Sequence, residues 1–126
     1  MLMQMQTNDR AGFTLVEIMV VVALIGMLAA IAIPNFLRAR ESAQLNLIGD
    51  NLRILEAAKE QYAFEHKLST TAAVTENDLT PYLKNNTNVK RVGGENYEFG
   101  TVGDLVQATG AGTLAGKSFP FTITSF

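Results

Sequence analysis

One feature constrains this chain more than any other: an apolar run from Phe13 to Leu37, polar on both flanks and carrying a single acid, Glu17. At about 1.5 Å of rise per residue, a helix of about 25 residues spans a hydrocarbon core. A cleavable secretory signal needs a basic n-region, a short apolar stretch and a small-residue cut site. Here only Arg10 and the α-amine supply positive charge before the run, and the run is long for a signal, although "AIAIPNF" offers an alanine to cut after. A simple uncleaved anchor is the other alternative reading of the same stretch.

Helical patterning continues beyond the apolar run. Leu45, Ile48, Leu52, Leu55, Ala58 and Tyr62 recur at spacings of three and four, which is one face of an α-helix. Arg38, Arg40, Glu41, Asp50, Arg53, Glu56, Lys59 and Glu60 fall on other faces, and their balanced charge describes a solvated flank. A helix from Phe13 to about His66 is roughly 80 Å long. Its first half is apolar all round, and its second half has one stripe that a small domain must cover.

The remaining residues, Leu68 to Phe126, are rich in Thr, Asn and Gly. "TENDLTPYLK" predicts a turn and short helix capped by Thr75 and broken before Pro81. "NNTN" predicts a turn, "NYEFGTV" a strand, and "LVQAT" a return strand. "GAGTLAGKS" reads as a loop. "FPFTITSF" alternates Phe119, Phe121 and Ile123 against Pro120, Thr122 and Thr124, as an edge strand with an early proline does. The fold class is therefore α+β: one long N-terminal helix whose second half packs on a small antiparallel sheet. Four segments follow: 1–12, the apolar helix 13–37, the amphipathic helix 38–67, and the loop and sheet region 68–126. The length of 126 residues suits one globular domain, and a formal charge of −2 gives no basic excess for nucleic acid. There is no cysteine, hence no disulfide framework and no thiolate metal site.

Glu17 needs a reason. Burying a charge in lipid costs about 2.5–3.5 kcal/mol on insertion scales. The helix dipole returns about 0.3–1 kcal/mol to an acid in the first turn. A positive partner closes the deficit, and a cut between Gly12 and Phe13 would create one. The new α-ammonium would lie four residues before Glu17 on the same helix face, able to neutralise its own carboxylate or that of a neighbouring copy. A buried polar pair of this kind sets register between subunits.

"GFTLVEIMVVVALIGMLAAIAIPNF" closely resembles the N-terminal signature of type IV prepilins and of the pseudopilins of type II secretion. The resemblance implies a leader peptide, 1–12, removed by a membrane peptidase after Gly12. It implies N-methylation of the new terminal Phe13 and assembly through Glu17. Gly26 and Pro34 also fall where the family places them, and the resemblance implies helix loosening between them in the filament. Pro34 removes a hydrogen bond to the Ala30 carbonyl. The close match covers about a fifth of the chain. Two departures stand beside it. Asp9 accompanies Arg10 in a leader that is usually basic, and Arg38 and Arg40 after the span oppose the charge rule for a cytoplasmic N-terminus. The implied partners are further copies of the chain, the prepilin peptidase, a cytoplasmic assembly ATPase, a platform membrane protein and minor pilins or pseudopilins. The implied location is the cytoplasmic membrane, crossed once, with the N-terminus in the cytoplasm and the C-terminal domain outside, and then a pilus or periplasmic pseudopilus.

No catalytic residue is expected. His66 is the only histidine, at the helix C-terminus, where a cation or cap belongs, and no nucleophile or metal cluster accompanies it. No cofactor is expected either. The resemblance to the major pseudopilin allows calcium at loop acids, here Glu76, Asp78, Glu95 and Asp104, but no spaced ligand loop is present. Tyr62, Phe64, Tyr82, Tyr97 and Phe99 are assigned to the core. Asn85-Asn86-Thr87 matches a glycosylation sequon, a weak pattern. The functional expectation is a structural filament subunit, with pilus and secretion pseudopilus both open. The alternative is a membrane-anchored binding domain that does not polymerise.

Overall fold

The computed structural model describes residues 12–126, so the leader segment apart from Gly12 lies outside the described residues. Helix α1 is Leu15–Glu65, unbroken through Gly26 and Pro34. The chain divides into two compact units inside this helix, one ending at Phe36 and the other Leu37–Phe126.

Among the described residues of the first unit none is buried, and large side chains from Phe13 to Phe36 stand exposed. This is the one helix among the described residues long and apolar enough to cross a membrane. It starts at Leu15 rather than at Phe13, because Thr14 caps it.

In the second unit, α1 buries Leu45, Ile48, Leu52, Leu55 and Ala58, the expected stripe, with Tyr62 packed at its edge. Two charged residues assigned to the solvated flank are not there: Lys59 has no exposed surface, and the Glu56 side chain is only 14% exposed. Lys59 lies seven residues after Leu52 and four after Leu55, hence on the same face. Phe64, expected in the core, is 88% exposed because it falls outside that face. The helix ends in a Schellman turn: the Leu68 N–H reaches the Ala63 carbonyl at 2.9 Å and the Lys67 N–H reaches that of Phe64 at 3.3 Å. Lys67 takes the left-handed position, φ 51°, that glycine usually fills.

Helix α2, Glu76–Leu79, begins at Thr75 with a capping box to Asp78, and a 3-10 turn with Pro81 follows, as expected. Strand β1, Asn96–Glu98, pairs antiparallel with β2, Gln107–Thr109, Tyr97 opposite Ala108. Tyr97 and Ala108 point into the core while their neighbours along each strand do not, the alternation a one-sided pair requires. "GAGTLAGKS" is not a loop. It is a two-residue hairpin, β3 Thr113–Leu114 with β4 Lys117–Ser118, turning on Ala115 and Gly116 at φ 49° and 78°.

The expected final strand does not form. Phe121 exchanges both backbone hydrogen bonds with Ala108, at 2.8 and 2.9 Å, as a single bridge on the edge of β2. Beyond it, Thr122 and Ser125 cap a 3-10 turn, Ile123–Ser125, which withdraws the backbone from pairing. The buried Phe121 still joins the core, in one apolar cluster with Leu52 and Leu55.

Candidate functional site

The residues singled out at the N-terminus form a capped helix start. Thr14 is the N-cap and Glu17 is the third helical residue. The Thr14 N–H and hydroxyl both donate to Glu17 Oε2, at 2.8 and 3.1 Å, and the Glu17 N–H donates to Thr14 Oγ1 at 3.2 Å. This is a reciprocal capping box. The Thr14 carbonyl accepts the first helical bond from Ile18, 3.3 Å. In a segment bound for lipid, unpaired backbone N–H groups have no water to bond to, so the box matters more than on a soluble surface. The carboxylate thus has a polar neighbour close in sequence. Thr-x-x-Glu before an apolar run is the signal for it; Thr14 belongs to the quoted motif, but its role as a cap is not among the sequence expectations.

Both cap bonds use Oε2, and Oε1 has no partner among the described residues. Glu17 lines an apolar groove together with Phe13, Val16, Ile18, Val20 and Val21. Among the described residues, the start of α1 therefore presents one anchored carboxylate, with an acceptor free, on an apolar surface. Such a surface can be solvated by lipid or by other helices like itself, and the carboxylate can take one cationic partner in a fixed place. Gly26 faces open space, with nothing within 4 Å of an added Cβ. Gly12 and Phe13 precede the helix in irregular backbone, with Phe13 85% exposed; residues 1–11 lie outside the described residues.

The loop acids of the second unit are each held separately. Glu76 pairs with Arg91 at 3.2 Å. Asp78 accepts from the Thr75 hydroxyl and N–H, which hold its carboxyl below the usual range. Asp104 accepts from the Thr101 N–H at 2.9 Å and hydroxyl at 2.8 Å, and these hold it low in the same way. Glu95 is fully buried. Burial pushes its carboxyl up, but its own backbone N–H, the Gly93 N–H, the Tyr97 hydroxyl and the Val92 N–H together outweigh that and leave it lowered. Asn51 in turn donates to Tyr97 Oη at 3.0 Å and to nothing else in that network but the Lys90 carbonyl, also 3.0 Å. No three His, Asp or Glu side chains converge among the described residues.

His66 caps the helix end, its Nδ1 3.1 Å from the Tyr62 carbonyl and its ring 4.5 Å from that of Tyr62. Tyr82 donates to Glu65, which pushes its phenol up to about 12. Tyr97 and Phe99 are core residues, and Tyr62 and Tyr82 are partly buried at the edge of the core cluster. Asn85 and Asn86 sit exposed at a tight turn, both at positive φ, 60° and 50°.

Residues 7–33 match the family model described as the prokaryotic N-terminal methylation motif. The chain is similar to the type IV major pilin protein PilA of Myxococcus xanthus, 46% identical over 54 residues, 43% of this chain and 24% of that protein. It is similar to the type II secretion system core protein G of Pseudomonas aeruginosa, 34% identical over 62 residues, 49% of this chain and 44% of that protein. It is also similar to fimbrial protein Q of Moraxella bovis, 34% identical over 110 residues, 85% of this chain and 68% of that protein. The match thus spans less than half the length of the first two relatives and two thirds of the third. No solved structure matches the chain.

Proposed function

The chain belongs to the type IV pilin and pseudopilin family, a family of structural subunits rather than enzymes, and on that premise we propose that it is cut between Gly12 and Phe13, N-methylated at Phe13, and polymerised through its N-terminal helix. The observation that carries this is the capped Glu17: a carboxylate fixed at the start of an apolar helix, with one oxygen unused by its cap. The α-ammonium made by the cut supplies the missing cation, from the same copy or from the next one in the filament. Subunits then dock where amine meets carboxylate, and the apolar helix surface that lipid solvated becomes the filament interior. Gly26 and Pro34 let the helix loosen there, because Pro34 already lacks one backbone bond.

Storage in the cytoplasmic membrane, N-terminus inside and second unit outside, follows from the same premise. So do the partners: the prepilin peptidase, an assembly ATPase, a platform membrane protein and minor subunits, with a pilus or a periplasmic pseudopilus as product. The test is intact mass spectrometry of filaments sheared from cells that carry the peptidase. The expected subunit begins at N-methyl-Phe13. A mature start after Ala32, or full-length chain in the presence of active peptidase, removes the processing step. Absence of the chain from any sheared filament leaves the non-polymerising anchored domain in its place.

A further inference from the structure

Lys59 is a fully buried lysine for which the filament reading has no use. An ammonium carries three N–H donors and no acceptor, and a buried one is tolerated only when paired and hydrogen-bonded. Here three oxygens surround it. Lys59 Nζ donates to the Phe99 carbonyl at 3.3 Å and to the Asp104 carbonyl, and Glu56 Oε1 lies 3.8 Å away. The second oxygen of Glu56 accepts the Val106 N–H at 2.9 Å. One i,i+3 pair on α1 therefore holds the segment from residue 99 to residue 106 at both ends.

The segment is shaped to present those oxygens. Gly100 turns it at φ 59°, a left-handed position. Asp104 ties its own loop by accepting from Thr101. On the far side, Val102 and Gly103 donate to the Ala72 and Thr70 carbonyls at 2.9 and 2.8 Å. Two carbonyl oxygens and a carboxylate are the ligand types of a hard metal cation. We infer that the Lys59 ammonium is the resident cation of this site, closing residues 99–106 onto α1 so that the loop needs neither a disulfide nor a divalent metal. The site is internal to the second unit, so the inference stands apart from processing and polymerisation.

An uncharged side chain of similar length would fill the space and leave the Phe99 and Asp104 carbonyls without a donor and Glu56 without a counter-ion. That separates a cationic role from a packing role. The test is amide hydrogen exchange, read by mass spectrometry on the whole chain in detergent. In the wild type, EDTA should leave exchange at residues 99–106 unchanged. Lys59→Met should speed it by about tenfold to a hundredfold while amides of the buried α1 stripe keep their protection. Lys59→Ala should behave alike and regain protection with propylammonium chloride but not with sodium chloride at equal ionic strength. Faster exchange of the wild type in EDTA, an unaltered Lys59→Met loop, or no response of Lys59→Ala to the amine would each overturn the inference. Should Lys59→Met unfold the second unit altogether, Glu56→Gln carries the test, since it keeps an oxygen for the Val106 N–H and removes the charge. Faster exchange at residues 99–106 supports the cation, and unchanged exchange refutes it.

Discussion

Thr14 and Glu17 close on each other across the first turn of α1, and this gives the acid two separable tasks. Capping needs Oε2 and the hydroxyl; pairing with a cation needs the charge. Thr14→Val removes the hydroxyl and costs about 0.5–2 kcal/mol of capping, but leaves the charge. It should lower the yield of sheared filaments only partly, with Thr14→Ser near wild type. Glu17→Leu removes the lipid-burial penalty, so insertion and cleavage should be equal or better. It also strands a buried ammonium, at a cost of about 3–5 kcal/mol, and should abolish filaments. Precursor, mature and sheared pools measured side by side decide; a normal filament yield from Glu17→Leu sinks the pairing mechanism. Glu95 gives a residue-scale prediction for the second unit. Its folded pKa is depressed, so its contribution to stability is complete above the unfolded value of about 4.3 and disappears as pH falls through the lower folded value. Melting temperature should drop on acidification below about pH 4.3. Glu95→Gln should cost about 1–3 kcal/mol at pH 7 and flatten that acid limb, leaving the slope contributed by Asp78 and Asp104, whose carboxyls are also held low. An acid limb as steep as the wild type's would mean that Glu95 is not the group lost. The threonine–acid box was legible as a four-residue pattern. The role of Glu95 was not, because most of its donors are backbone N–H groups of a loop whose path no periodicity reveals.

Among the elements, α1 was the most legible, because helical spacing tests every residue against a single face. The stripe Leu45 to Ala58 is buried as the spacing requires, and Lys59 was misplaced only because its charge was allowed to outvote its position. Leu52→Ala and Leu55→Ala, both fully buried, should each destabilise the second unit by about 2–5 kcal/mol. Losses within error in thermal melts of both variants would remove this face from the core. Gly49 sits on α1 where an added Cβ would come within 3.0 Å of the Phe126 ring. Gly49→Ala should therefore push that ring out, with a smaller loss than either leucine variant and a chemical-shift change centred on Phe126. The strands were harder to read. At two or three residues each, they are too short for alternation to accumulate. The turn at Ala115-Gly116 was hidden because alanine at positive φ is not a turn signal. "FPFTITSF" misled because alternation records which side chains face inward, and Phe121 does, without recording whether the backbone pairs.

At the scale of the whole molecule, the two units differ in what solvent they require. Among its described residues the first has none buried and, apart from the Thr14–Glu17 cap and Asn35, an apolar surface, so its folded helix is compatible with lipid, detergent or other such helices, and poorly with water. The second has its own core, drawn from α1 and the C-terminal segments alone, and its exposed surface carries most of the chain's charge. A chain beginning at Arg38 should therefore be a soluble monomer that melts in one cooperative transition, whereas the whole chain should need detergent. Its size, under 100 residues with no disulfide, makes it only modestly stable. Light scattering coupled to gel filtration, together with thermal melts by circular dichroism, tests this. Aggregation of the truncated chain, or a melt without a transition, would mean that the second unit depends on the apolar half of α1, and the division of labour between an apolar stem and a self-sufficient second unit would fall with it.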